Sequence, residues 1–243
     1  MTTLTVHHLE ESQSLRVVWL LEEIGMPYEI KLYKRTESRL APPELKAISP
    51  LGTSPCITDI NPVTKQEVVL SETNAIIDYI LDKYENENPS SSPSSLRPAP
   101  MTTDRADYLF LYHGGQGSFN PTITQDFVWR LVVSKVPCPL SYVIRMIYNQ
   151  LNDTVFEPRI NKFMELVETK LNGRDFVASN NDLTAADITL IFPMEEVLRD
   201  DVDMQKKYPK CEAWRQRMYQ RDAHKRATEK VGETSGAQSW RKA

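Results

Sequence analysis

Residues 3–32 read TLTVHHLEESQSLRVVWLLEEIGMPYEIKL, and the fold is decided in this stretch. Thr3 to His7 is a short β-branched run. From Ser14 to Ile24 the apolar residues Leu15, Val18, Trp19, Leu21 and Ile24 recur at a helical rather than a strand period. Gly25 and then Pro27 stop that helix. Tyr28, Ile30 and Leu32 alternate with Glu29 and Lys31, the period of two expected of a half-buried strand.

Working outward, Pro42 and Pro43 suit the first turn of a short helix through Ile48, where a missing N–H costs nothing. Ser49-Pro50-Leu51-Gly52 is a turn. Strands follow at Cys56 to Ile60 and Glu67 to Leu70, joined through Asn61-Pro62, and a helix from Thr73 to Tyr84 carries Ile76, Ile77, Ile80 and Leu81 on one side. The order β-α-β-α-β-β-α is that of an α/β thioredoxin-like domain, here residues 1–85. Residues 86–101, rich in Ser, Pro and Asn, read as an extended linker. Beyond it only helical patterns occur, at Asp104 to Val136, Leu140 to Leu171, Thr184 to Leu198 and Tyr208 to Glu229, so residues 102–231 form an all-α C-terminal domain. The polar residues 232–243 read as a disordered tail.

Composition narrows the function. The chain has 243 residues, 40% hydrophobic, enough to bury the cores of two modest domains. Its formal charge of −4 includes no long single-sign block, so neither nucleic acid nor an anionic membrane is an expected partner. No stretch approaches the ~20 apolar residues that span a bilayer, and Met1 to Leu9 carries no secretory pattern. Cys56, Cys138 and Cys211 fit neither a disulfide framework nor a zinc site, which points to a reducing, cytoplasmic setting and no metal.

Three junctions carry the candidate chemistry. At His7-His8-Leu9-Glu10-Glu11-Ser12-Gln13-Ser14 a strand feeds a helix, whose N-terminal N–H groups and partial positive charge favour an anion, a thiolate included. A hydroxyl there can donate to a bound sulfur; Ser12 is the first candidate and Ser14 the second, although the same letters serve an ordinary N-cap. His7 and His8 are adjacent in a strand and point to opposite faces, so they cannot share a metal. No Cys-x-x-Cys occurs here, which counts against thiol-disulfide exchange.

At Thr53-Ser54-Pro55 a cis X-Pro bond would turn the Ser54 backbone toward an extended peptide ligand; an ordinary trans proline is the alternative. At Ser71-Glu72-Thr73 the Glu72 carboxylate suits an α-amino group, and the Thr73 hydroxyl and neighbouring N–H groups suit an α-carboxylate, although a capped helix start has the same letters. Thr184 and Asp187 have the spacing of a reciprocal capping box, a stability device. Tyr108, Tyr112, His113, Phe119 and Trp129 are candidates to line an apolar cleft or to form core. Gly114, Gly115 and Gly117 weaken or kink their helix and, following no strand, make no dinucleotide fingerprint.

The chain resembles the soluble glutathione transferases, most of all the yeast-type GTT group of fungi and related bacterial enzymes. The resemblance spans Thr3 to Lys230. It is carried by the order and spacing of Glu11-Ser-Gln-Ser-Leu-Arg16, Trp19-Leu-Leu-Glu-Glu23, Tyr33-Lys-Arg35, Ala41-Pro-Pro-Glu-Leu-Lys46, Ser49-Pro-Leu-Gly-Thr-Ser-Pro55, Ser71-Glu-Thr73 and Leu183-Thr-Ala-Ala-Asp187. It implies that Ser12 activates glutathione, that Thr53, Ser54 and the cis-proline Pro55 meet its cysteinyl backbone, and that Glu72 and Thr73 hold its γ-glutamyl end. Leu40 stands where relatives have a basic residue, leaving Arg39 or Lys46 for the glycyl carboxylate.

The resemblance further implies a homodimer, a cleft between the two domains that takes a hydrophobic electrophile, and detoxification chemistry with glutathione as co-substrate. Conjugation is the leading expectation, with glutathione-dependent peroxidase activity beside it. A non-catalytic glutathione-binding or protein-interaction module on the same fold is the alternative.

Overall fold

The computed structural model describes residues 4–49, 51–88 and 96–232. In chain order its elements are β1 (Thr5–Leu9), α1 (Leu15–Ile24), β2 (Glu29–Tyr33), α2 (Pro43–Lys46), β3 (Cys56–Ile60), β4 (Glu67–Ser71) and α3 (Thr73–Glu87), followed by α4 (Thr103–Gly114), α5 (Asn120–Lys135), α6 (Leu140–Leu151), α7 (Glu157–Lys170), α8 (Ala185–Leu198), α9 (Val202–Lys207), α10 (Pro209–Gln220) and α11 (Asp222–Val231). The chain divides into two compact units. One runs up to Arg97 and resumes at Arg217; the other is Pro98–Gln216. Residues 89–95 of the linker expected at 86–101, and all but the first residue of the tail expected at 232–243, lie outside the described residues.

The first unit is built on a four-stranded sheet in the order β2-β1-β3-β4, with β1 parallel to β2 and β3 antiparallel to both its neighbours. β1 begins and ends two residues later than its β-branched run suggests. Its parallel partner sets the register, Thr5 opposite Glu29 through Leu9 opposite Tyr33, and Leu9 and Tyr33 share a cluster with Ala41 and Leu45. Val17, Val18, Trp19, Leu20 and Leu21 are all buried, so α1 is enclosed nearly all round and packs on both α3 and α11. It ends where Gly25 takes a left-handed φ of 66° and its N–H bonds the Leu21 carbonyl, the C-terminal stop its sequence signals. Between β3 and α3, Lys83 Nζ and the Tyr79 hydroxyl both reach the buried Asp59 carboxylate, at 2.6 and 2.9 Å.

The last helix departs from expectation. The helical pattern from Tyr208 to Glu229 breaks at Arg221, whose backbone is extended (φ −64°, ψ 134°), and α11 packs in the first unit rather than with the other helices. It buries Ala223, His224, Ala227 and Val231. Arg221 pairs with Glu23 at 2.6 Å, and Arg226 and Lys230 pair with Glu22 at 2.7 and 2.5 Å. The all-α domain expected over 102–231 therefore lends its final helix to the α/β part.

The second unit is helical throughout. Each of its two longest predicted helices is interrupted by a π-helical segment, Gly115–Phe119 between α4 and α5 and Asn152–Phe156 between α6 and α7. Gly115 has a packing reason: a Cβ there would stand 2.7 Å from Leu190 Cδ2, so the absence of a side chain lets α8 close on this turn. α8 buries nearly every residue, and its start is anchored by Asp187, discussed below.

Candidate active site

Strand β1 delivers two buried histidines to opposite faces of the sheet, and the turn after it delivers two serines. Ser14 starts α1 but its side chain does not cap the helix. Its hydroxyl lies 2.8 Å from His8 Nδ1 and 2.6 Å from Ser12 Oγ, while its N–H donates to Ser12 Oγ at 3.3 Å. Ser14 is fully buried and Ser12 is half-buried, so the chain of hydroxyls runs from the interior to the surface. His7 faces away from it: Nδ1 lies 2.9 Å from the Tyr33 hydroxyl and Nε2 3.0 Å from Thr58 Oγ1. Burial, with Lys31 adding to it, holds the His7 ring below its ordinary value of 6.5.

The second junction meets the first. Ser54 Oγ lies 3.1 Å from Ser12 Oγ, and the Ser54–Pro55 peptide is cis. The loop leading to it is tied down by Ser49, whose hydroxyl donates to the Thr53 carbonyl at 2.9 Å and accepts the Thr53 N–H at 3.1 Å. Ser49 also lies 3.1 Å from Ser71 Oγ, at the end of β4 and directly before Glu72.

The third junction joins through Arg16. Its guanidinium, buried among apolar residues of α1, donates to the Gln13 side chain and to Thr73 Oγ1 at 3.3 Å, bridging the serine turn and the start of α3. Glu72 itself is exposed and held at φ 78°, ψ 122°. A non-glycine residue in this region is strained by about 1–3 kcal/mol, and such strain clusters at ligand clamps.

Arg39 and Lys46 are both exposed. Arg39 forms an ion pair with Glu11, next to Ser12, and Arg35 donates to the Glu11 carbonyl at 2.9 Å. The Lys46 side chain passes over Gly52, 3.3 Å from where a Cβ would stand. Thus Ser12, Ser14 and Ser54 are linked by hydrogen bonds inside one unit, Arg16 ties Thr73 to Gln13 between the two serines of the turn, and Ser49 bonds both Thr53 and Ser71, the residue before Glu72.

The aromatic candidates fare differently. Tyr108 and Tyr112 stack on each other 5.2 Å apart and are 3% and 1% exposed, so their rings are committed to packing rather than lining a cleft. Phe119 is likewise buried, stacked 4.2 Å from Phe163 on the floor of a surface groove of about 530 Å³ that Arg159 and Lys162 border. His113 alone of the four is exposed, and Trp129 is half-buried.

Sequence reasoning passed over His8, Ser49 and Arg16 as site-building residues. Arg16 was findable, as a lone cation in an apolar helical stripe; the others depend on contacts far apart in sequence. Thiol chemistry finds no support here: Cys56 follows Pro55, but burial pushes its thiol above the ordinary value against the pull of Ser71 and Ser49. Among the described residues no group of three His, Cys, Asp or Glu is placed to hold a metal ion, and no helix is long and apolar enough to cross a membrane.

Comparison with known proteins bears on this arrangement. Residues 12–83 match the model of the glutathione S-transferase N-terminal domain and residues 150–222 that of the C-terminal domain. Glutathione S-transferase 3 of Schizosaccharomyces pombe is 32% identical over 94% of this chain and 88% of its own length. Among solved structures, a glutathione S-transferase from Actinobacillus pleuropneumoniae superposes with a TM-score of 0.73 at 28% identity, covering 95% of this chain and 93% of that one. A glutathione transferase from Phanerochaete chrysosporium, solved with oxidised glutathione, has the same fold (TM-score 0.69, 21% identity, 96% of each chain). With both domain models matched in order and a relative this similar along nearly its whole length, the chain belongs to the glutathione S-transferase family.

Proposed function

We propose that the serine turn between β1 and α1 holds the sulfur of glutathione, and that Ser12 stabilises the thiolate for attack on a hydrophobic electrophile. One observation carries this reading: Ser12, half-buried at the start of α1, presents its hydroxyl beside those of Ser14 and Ser54 at 2.6 and 3.1 Å. A donor to a charged acceptor contributes about 1.5–3 kcal/mol and a helix N-terminus roughly 0.3–1 kcal/mol more. Lowering a thiol from about 8.5 to about 6.5 requires ~2.7 kcal/mol, so the two effects together are sufficient.

In this reading Ser54 pairs with the cysteinyl backbone, with Thr53 and Pro55 shaping the corner. Glu72 accepts from the γ-glutamyl amino group, Thr73 and the start of α3 receive its carboxylate, and Arg39 or Lys46 serves the glycyl carboxylate. The attack forms a thioether at an electrophilic carbon and expels its leaving group; on an organic peroxide the same thiolate attacks oxygen, the O–O bond breaks to release the alcohol, and a second glutathione converts the resulting sulfenic acid to glutathione disulfide and water. The enzyme works in the cytoplasm, in detoxification, as a homodimer. Its free cysteines agree with a reducing compartment, and the family resemblance supports the dimer.

The test is steady-state conjugation of a chloro-nitroaryl substrate by wild type and Ser12→Ala, with glutathione binding followed by calorimetry. Loss of turnover with binding retained supports the assignment; unchanged turnover removes Ser12 from the mechanism. Binding of glutathione by wild type with no turnover on any electrophile or peroxide would make the chain a binding module.

A further inference from the structure

His8 is buried at the inner end of the hydroxyl chain, its Nδ1 2.8 Å from Ser14 Oγ. Counting hydrogens shows why this matters. A thiolate has none to give, so a serine that stabilises it must donate its single O–H to the sulfur. Ser12 then has only lone pairs left for Ser14, 2.6 Å away, and Ser14 must spend its own hydrogen on Ser12. That leaves Ser14 Oγ as an acceptor toward His8, and the contact is filled only if Nδ1 carries a hydrogen.

The reverse order is equally complete. If Nδ1 is bare, Ser14 donates to it, Ser12 donates to Ser14, and Ser12 turns only lone pairs toward the sulfur, which opposes a thiolate. Nothing else at Ser12 reverses this, because the Ser14 N–H at 3.3 Å can only donate and Ser54 Oγ at 3.1 Å either donates as well or competes for the same hydrogen. One hydrogen on one ring nitrogen therefore decides the direction of the whole chain.

We propose that His8 is a positioning residue: its Nδ1–H orients Ser14, and through it Ser12, so that the Ser12 hydroxyl donates to the bound glutathione thiolate. The proposal rests on the assignment of Ser12 above. The neighbouring His7 provides the contrast, since its two nitrogens are engaged by Tyr33 and Thr58 on the other face of the sheet.

The experiment titrates the thiol of bound glutathione through the ultraviolet absorbance of the thiolate, with glutathione Kd measured in parallel, for wild type, Ser12→Ala, Ser14→Ala, His8→Leu, His8→Asn and Tyr33→Phe. Ser14→Ala removes one hydroxyl and breaks the chain; His8→Asn restores a donor near the position of Nδ1. The expected result is a thiol pKa raised by about one unit in Ser14→Ala and His8→Leu, a tenfold fall in the ratio of thiolate to thiol at any given pH, with Kd measured below about pH 6, where the thiol form dominates, changed by less than about twofold. Recovery in His8→Asn and no change in Tyr33→Phe complete the pattern.

An unchanged thiol pKa in Ser14→Ala overturns the proposal, even if His8→Leu fails to fold. If Ser12→Ala raises the pKa while Ser14→Ala and His8→Leu leave it as in wild type, His8 is dismissed and the Ser12 assignment stands. If Ser12→Ala leaves it unmoved, that assignment falls too.

Discussion

Two helix starts in this molecule use the same kind of residues to opposite ends. At α8, the Asp187 carboxylate accepts four hydrogen bonds, from the Val177 N–H at 2.9 Å, the Thr184 N–H at 3.0 Å, the Thr184 hydroxyl at 2.8 Å and Trp214 Nε1 at 2.9 Å. Thr184 and Asp187 are both wholly buried. Burial alone pushes the Asp187 carboxyl up, and the four donors pull against it. At α1, Ser14 leaves its own helix uncapped and points to His8 and Ser12, and the outermost hydroxyl stays partly accessible. A polar group whose partners are all inside the protein contributes only to stability. One whose last position is open can serve a ligand.

The comparison breaks most visibly if Asp187 is dispensable. Asp187→Ala leaves buried donors without an acceptor and should cost on the order of 4 kcal/mol in urea unfolding, with conjugation per folded molecule little changed. A loss below ~1 kcal/mol would put the two helix starts in the same class. Ser12→Ala should show the converse: kcat/KM down by about 100-fold, equivalent to ~2.7 kcal/mol, with an unfolding midpoint close to wild type. A Ser12→Ala protein that is equally active but much less stable would reverse the contrast.

Glu72→Ala sharpens it at the third helix start. Because Glu72 is exposed and strained, it should raise the glutathione KM by about tenfold, ~1.4 kcal/mol, while leaving stability unchanged or slightly improved.

The pH-dependent test concerns the opposite end of α1, where α11 is clamped and no ligand is expected. His224, buried edge-on to Trp19 at 5.0 Å, is lowered by burial from 6.5 to about 4, against a weaker opposing pull from Glu23. Its unfolded form takes a proton first, so stability should fall as pH drops from 6.5 to about 4. Burial would raise Glu22, but hydrogen bonds from Lys230, Tyr28 and Arg226 hold it down to about 2 from 4.5. Its contribution is present above pH 4.5 and lost as pH falls toward 2. Urea midpoints across this range should show both declines, and Glu22→Gln should flatten the lower one.

How much of this was legible beforehand follows from the range of the interactions. The α1 stripe, the Gly25 stop, the alternation in β2 and the Thr184-x-x-Asp187 spacing all act within a few residues, and each reappears in the structure. The break at Arg221 was not readable, because both sides of it suit a helix. What holds α11 in the first unit is the burial of Ala223, His224, Ala227 and Val231 against it, with ion pairs to Glu22 and Glu23, some 200 positions earlier, at the edge. The burial of Tyr108 and Tyr112 was unreadable for a related reason: periodicity places them on one face of a helix but cannot say whether that face meets a ligand or a neighbour.

By itself the sequence determined the element order of the α/β part, the two-part architecture and the family, and it named the three junctions proposed to meet a ligand. These rest on local periodicity, backbone stops and motif spacing, which need no knowledge of the packed chain. Only the tertiary structure decided which atoms at those junctions touch. That His8, Ser14, Ser12 and Ser54 form one run of contacts depends on a strand, a turn and a distant loop arriving within 3.1 Å of each other. Hydrogen bonds operate over such distances and at defined angles, a precision that residue type and spacing do not encode.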